Sequence, residues 1–147
     1  MHLIIHYFQS NKELVEMYKL KPPEFYNYLN QSGCIRMDGV NDARKFDALR
    51  LAFSVLRIPL NMCDGIFCVL SAILWLGNTK FEDIDGEKCE LAESDKEVLG
   101  IVTSLLGLQF EDVVQVTLRR QINVRGNITE IPLKIQEVRN FMLFKIC

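Results

Sequence analysis

The chain has 147 residues, 49% of them hydrophobic and 24% charged, and seventeen basic against nineteen acidic side chains leave a formal net charge of −2. A chain of this length is one domain or part of one, and its apolar content argues against general disorder. The slightly acidic balance argues against nucleic-acid binding as the main role, so any cationic site must be local.

Residues 11–19 read as a short helix, stopped ahead of Pro22-Pro23 because residues preceding proline avoid the α region. A loop follows, in which EFYNYLNQSGC sets Phe25, Tyr26 and Tyr28 beside a Ser32-Gly33 break. Asn41 or Asp42 then caps a helix to about Arg57, with Phe46, Leu49, Phe53 and Leu56 on one face and Arg44, Asp47, Arg50 and Ser54 facing away. Pro59 ends that element. The next helix, about Asn61 to Leu76, has Ser71 as the lone polar residue between Ile66 and Leu76. A helix apolar on every side must be enclosed on every side, and two other short amphipathic helices are too little to wrap it. Gly77-Asn78 matches a left-handed C-terminal cap.

Asp85-Gly86 lies between two short alternating runs and predicts a hairpin. Ser94-x-x-Glu97 reads as a capping box for a helix with a Val98, Ile101, Val102, Leu105 stripe, ended by Gly107. Phe110 to Leu118 forms a short helix. Gln121–Val124 and Ile128–Ile131 alternate around Arg125-Gly126-Asn127, a second hairpin. Pro132 suits the first turn of a last helix from Leu133 onward. The predicted fold class is therefore mainly α with two small β-hairpins.

The chemistry-bearing motifs are few. Five cysteines show no C-x-x-C pair, which favours small buried thiols over a disulfide framework. His2 and His6 could share a helix face but lack a third metal ligand. With both histidines in the first six residues, a Ser-His-Asp arrangement is implausible. No glycine-rich phosphate loop occurs, so no catalytic, cofactor or metal residues are expected in this chain. Glu82, Asp83, Asp85 and Glu87 lack the calcium-loop pattern and read as a solvated hairpin. The Asn-x-Ser/Thr triplets at Asn30 and Asn127 read as chance matches. MHLIIHYFQS has no basic leader, and Ile66 to Leu76 is about half the length of a bilayer span. The expectation is a soluble, intracellular protein with no membrane span. One feature stands above this background: Arg119, Arg120 and Arg125 on the second hairpin of an acidic protein. Guanidinium groups on a rigid ribbon suit an acidic protein surface, and equally suit an edge that deters strand pairing.

Taken in order, YNYLNQSGC, DGVNDARKFDALRLAFSVL, IFCVLSAILWLGNTKFE and LLGLQFEDVVQVTLRRQINVRGNITEIPLKIQEVRN resemble successive segments of the myosin motor domain, from about Lys12 to Asn140. The resemblance implies part of the upper, actin-side subdomain of a P-loop motor head of an unconventional myosin. Residues 1–147 would be a partial motor domain lying between the family's two nucleotide switches, with divergent ends at 1–11 and 141–147. The aromatics of Phe25 to Tyr28 would be core plugs at a corner.

The family is an actin-activated ATPase that uses ATP and magnesium. Its phosphate loop and both switches have no counterpart here, so no ATPase activity is expected of this chain alone. Partners implied are the actin filament and the remainder of the motor domain, and the implied location is the cytoplasmic actin cytoskeleton. By resemblance the second hairpin is the actin-contacting loop, with Arg119, Arg120, Asn123, Arg125, Asn127, Thr129 and Glu130 as its site residues. A second actin-proximal loop would contain Lys80, Asp83, Asp85 and Lys88, though its acidic groups would repel an acidic partner. The alternative reading is a non-motor helical interaction module or an unstable truncated product.

Overall fold

A computed structural model describes residues 12–31, 33 and 39–144, with side chains through Asn140. His2, His6, Asn11, Ser32, Cys34, Asp38 and the final FMLFKIC side chains, on which expectations were placed, lie outside the described residues or side chains. The chain divides into two compact units, Met1–Asn78 and Thr79–Cys147. The described residues are mostly helical, with two small antiparallel hairpins.

In the first unit, α1 (Lys12–Met17) is followed by a 3-10 turn at Pro23–Phe25 and the single-turn helix α2 (Asn27–Asn30). Next come α3 (Asp42–Val55) and α4 (Leu60–Leu76). Asn41 caps α3, its Oδ1 accepting from the Arg44 amide at 3.0 Å. The corner after α1 explains the polar residue in the apolar helix. Lys19 takes a left-handed φ of 50°. The carbonyls freed there are caught by α4, Ser71 Oγ donating to Tyr18 O at 2.6 Å and Trp75 Nε1 to Lys19 O at 2.8 Å. Ser71 thus satisfies a buried backbone acceptor rather than facing solvent.

Around that corner the aromatics interlock. Trp75 meets Phe25 and Tyr26 edge-on, with ring centroids 5.2 and 5.9 Å apart. Tyr26 is the core plug expected of this stretch, at 0% exposure, whereas Phe25 stays exposed on its outer side and Tyr28 is half-buried.

Two expectations for this unit are corrected. Gly77 is right-handed, with φ −63°, so no left-handed cap forms. A glycine is required there because a Cβ would collide with the Tyr28 ring. Asn78 completes the clasp: its Oδ1 accepts from the Asn27 amide and its Nδ2 donates to Phe25 O, both at 2.8 Å. The second correction is Leu56, which follows the helix as its C-cap and is 70% exposed. Phe46 is the buried centre of α3. As the sequence led one to expect, the chain does not enclose α4 on every side: Cys63, Phe67, Leu74 and Trp75 are buried, while Met62, Ile66 and Val69 are exposed.

In the second unit, β1 (Phe81–Ile84) pairs antiparallel with β2 (Lys88–Leu91). Helices α5 (Lys96–Leu106) and α6 (Phe110–Leu118) follow. Strand β3 (Arg119–Val124) then pairs antiparallel with β4 (Asn127–Pro132), and α7 (Ile135–Phe144) comes last. The core holds Cys89, Leu133 and Val138, with Phe81, Leu118 and Ile135 packed against them.

The capping box does not form. A 3-10 turn at Glu93–Asp95 delays α5, Asp95 becomes its N-cap residue without a side-chain cap bond, and Ser94 Oγ instead donates to Asp95 Oδ2 at 3.4 Å. The buried stripe accordingly centres on Leu99, Val102 and Thr103, beside the one expected. Gly107 ends α5 left-handed, φ 66°, as expected. Pro132 lies in β4 opposite Arg119 rather than in a helix. Having no amide hydrogen, it closes the ladder, and the Leu133 amide makes the next bond, to Leu118 O at 2.8 Å.

Candidate functional site

The β3–β4 hairpin stands on a fixed base. The Leu133 carbonyl accepts from the Cys89 amide at 3.2 Å and from Cys89 Sγ at 3.3 Å, which ties the end of β4 to β2. Above that base the ladder runs in register from Arg119 opposite Pro132 to Val124 opposite Asn127. Arg125 and Gly126 make a two-residue turn with φ of 53° and 89°. Both values are positive, as the favoured hairpin turns require, although Arg125 carries a side chain in a conformation usually left to Asn or Gly. The turn is fastened by Asn123, whose Oδ1 accepts from the Gly126 amide at 2.9 Å.

The structure distributes the seven expected residues over three places. Directly opposed residues in an antiparallel ladder share a face. Arg120, Asn127 and Thr129 therefore fall on one face with Ile122 and Val124, while Arg119, Asn123 and Glu130 fall on the other with Ile128. Arg125 alone holds the tip. The two basal arginines are engaged: Arg119 Nη1 lies 3.7 Å from Glu130 Oε2, and Arg120 Nη1 lies 3.2 Å from Glu137 Oε1 on α7. Glu130 Oε1 also accepts from Gln115 Nε2 on α6 at 2.5 Å and from Gln121 Nε2 at 3.4 Å. Glu130 is thus the brace of the hairpin foot. Gln115 and Glu137 belong to the same bracing and were not found from the sequence, because each lies on a helix outside the ribbon.

Arg125 differs. Among the described residues no carboxylate pairs with it. Near the turn, Val124 on one face of the ribbon and Ile128 on the other are 58% and 66% exposed. The tip therefore offers one uncompensated guanidinium on a short ribbon braced at its foot.

The other expected loop is the β1–β2 hairpin. Asp83 Oδ1 accepts from the Gly86 amide at 3.2 Å and Asp85 Oδ1 from the Glu87 amide at 3.4 Å, so both carboxylates serve the turn itself. Lys88 Nζ is 3.6 Å from Glu90 Oε1, and the Lys80 carbonyl accepts from the Ala92 amide at 3.3 Å. Glu82 sits opposite Glu90, a like-charge pair on the exposed face of the ribbon, whose other face carries Phe81 and Cys89 into the core. Lys80, Asp83, Asp85 and Lys88 are thus placed together on an acidic ribbon, apart from the cationic tip of the other. Among the described residues no group of three or more metal-ligating side chains gathers, and no helix is long and apolar enough to cross a membrane.

Comparison with known proteins gives a consistent likeness. Residues 3–142 match the family described as myosin head (motor domain), a span that takes in residues 3–11 as well as the stretch from Lys12 to Asn140. The chain is 38% identical over 133 residues to a myosin-I heavy chain of Dictyostelium discoideum, covering 89% of this chain and 6% of that protein. It is 42% identical over 88 residues to myosin-4 of Arabidopsis thaliana, covering 60% of this chain and 8% of that one. Against myosin-1 of Yarrowia lipolytica it is 33% identical over 141 residues, covering 89% and 11% respectively. The chain thus spans about a tenth or less of the length of these curated relatives.

Proposed function

From a chain that belongs to the myosin head (motor domain) family, we propose a contribution to actin binding, with the β3–β4 hairpin as the contacting element and Arg125 as its leading charge. The chain corresponds, in this reading, to the upper actin-side part of the head between the two nucleotide switches. ATP and magnesium are handled by the rest of such a motor, whose ATP-driven movement takes place on the cytoplasmic actin cytoskeleton. The supporting observation is the uncompensated Arg125 guanidinium on a braced ribbon, since an exposed, pre-positioned arginine steers and pairs with acidic protein surfaces. Arg119 and Arg120, already engaged with Glu130 and Glu137, serve the ribbon before they serve a partner.

Actin co-sedimentation of the 147-residue chain tests this directly. Weak, salt-sensitive binding is expected, with Arg125→Ala lowering affinity by about fivefold, the equivalent of about 1 kcal/mol. Undiminished binding by Arg125→Ala removes the tip from the account. A second reading, a helical interaction module, draws on the exposed Met62, Ile66 and Val69 of α4. Recovery of a stoichiometric partner other than actin, lost in Val69→Lys, supports it.

A further inference from the structure

Leu133 alone separates Pro132, the last residue of β4, from Lys134, where α7 begins to form its hydrogen bonds. The Lys134 carbonyl accepts from the Glu137 amide at 2.9 Å and from the Val138 amide at 3.1 Å. Lys134 is therefore the N-cap residue of α7 and Glu137 its third helical residue. A lysine side chain has no acceptor with which to cap the first amides. Glu137 supplies the reciprocal half of a capping box instead, its Oε2 accepting from the Lys134 amide at 2.9 Å. Val138, the next residue, is wholly buried in the core of the second unit and anchors this turn.

The same carboxylate reaches the ribbon. Glu137 Oε1 lies 3.2 Å from Arg120 Nη1, so one oxygen serves α7 and the other serves β3. Glu130, on the other face of the ribbon, engages the side chains of Gln115, Gln121 and Arg119. Glu137 engages a backbone amide as well as a side chain. A carboxylate already held by an amide has lost rotamer freedom, so pairing it with an arginine costs less ordering entropy. The arginine in turn keeps the carboxylate over the amide, and each contact favours the other.

We propose that Glu137 is a positioning residue that couples the β3–β4 ribbon to the first turn of α7. Its cap on the helix orders the carboxylate that steadies Arg120, and release of either contact loosens the other. The rigidity of the ribbon, and with it the placing of its tip, follows the state of α7. The link is internal to the second unit and holds whether or not the ribbon meets actin.

The test is amide hydrogen exchange, read by mass spectrometry on the full 147-residue chain without actin. Three regions are followed: β3–β4, residues 134–138 and, as a gauge of the unit as a whole, α5. Arg120→Met and Glu137→Gln each break the ion pair, while glutamine keeps an acceptor for the Lys134 amide. Each is expected to speed exchange in β3–β4 by about threefold, and the double variant no more than either single one. Arg120→Met also speeds residues 134–138 by about twofold, although it replaces no group of α7. Glu137→Ala, which removes the cap too, speeds residues 134–138 by about fivefold. Exchange in α5 stays as in the parent. About ninefold in the double variant would mean that the two residues act separately, and would overturn the link. Unchanged residues 134–138 in Arg120→Met, equal effects of Gln and Ala at position 137 on that segment, or an α5 that speeds with the ribbon would overturn it as well. Should Glu137→Ala unfold, the cycle of Arg120→Met and Glu137→Gln decides alone.

Discussion

A methyl group at position 77 would enter the volume held by the Tyr28 ring. Gly77→Ala is therefore expected to cost about 1–3 kcal/mol through overpacking. Combined with Tyr28→Ala, the loss should be less than additive in a denaturant-melt double-mutant cycle; strict additivity would refute the contact. The glycine was legible in the sequence, but for a different reason, since Leu-Gly-Asn at a helix end suggests a left-handed cap. The ring that forbids a side chain comes from a distant part of the chain, which no local pattern displays. Tyr26 makes a second residue-scale prediction. Burial pushes its phenol up to about 12 from the ordinary 10.0, opposed in part by the Lys21 amide, which donates to its hydroxyl at 2.8 Å. The folded-state value is the higher one, so the stability contributed by neutral Tyr26 is complete below pH 10 and lost as pH rises through 12. Urea melts across that interval should show a shallower alkaline loss for Tyr26→Phe than for the parent; parallel curves would exclude Tyr26 as the source.

Helix ends separate what the sequence displays from what it conceals. Asn41 precedes an amphipathic run and caps it as read, so Asn41→Ala should cost about 1 kcal/mol in a thermal or urea melt. Ser94 carries an equally good signature and makes no cap bond, so Ser94→Ala should change stability by less than about 0.5 kcal/mol. Equal costs for the two would mean that the 3-10 turn at Glu93–Asp95 is not the form in solution. Both hairpins were legible, because Asp85-Gly86 and Arg125-Gly126-Asn127 sit between alternating runs and glycine supplies the positive φ each turn needs, although Asn127, read as part of the second turn, opens β4 instead. Their faces were less so. The ladder places Thr129 and Glu130 on opposite sides, a division that follows only once the register is fixed by the two-residue turn. Gln115 and Glu137, the helical partners of Glu130 and Arg120, could not be reached from ribbon residues alone.

For the chain as a whole, the uncovered apolar side chains carry the main consequence. Met62, Ile66 and Val69 form one exposed stripe on α4, at helical spacing. Sedimentation velocity should show concentration-dependent self-association, and Ile66→Lys with Val69→Lys should suppress it without loss of helix content. A parent chain that stays monomeric at high concentration would show that the stripe is harmless. The sequence had already marked this helix as one needing more cover than a short chain provides, and the relatives' much greater length accords with that. Finally, Asn78 is both the last residue of the first unit and the residue that fastens the Asn27 amide and the Phe25 carbonyl. Tension applied to the polypeptide at Thr79 would thus reach this double amide latch before it could unwind α4, and the latch's rupture force would set how much pull the first unit tolerates.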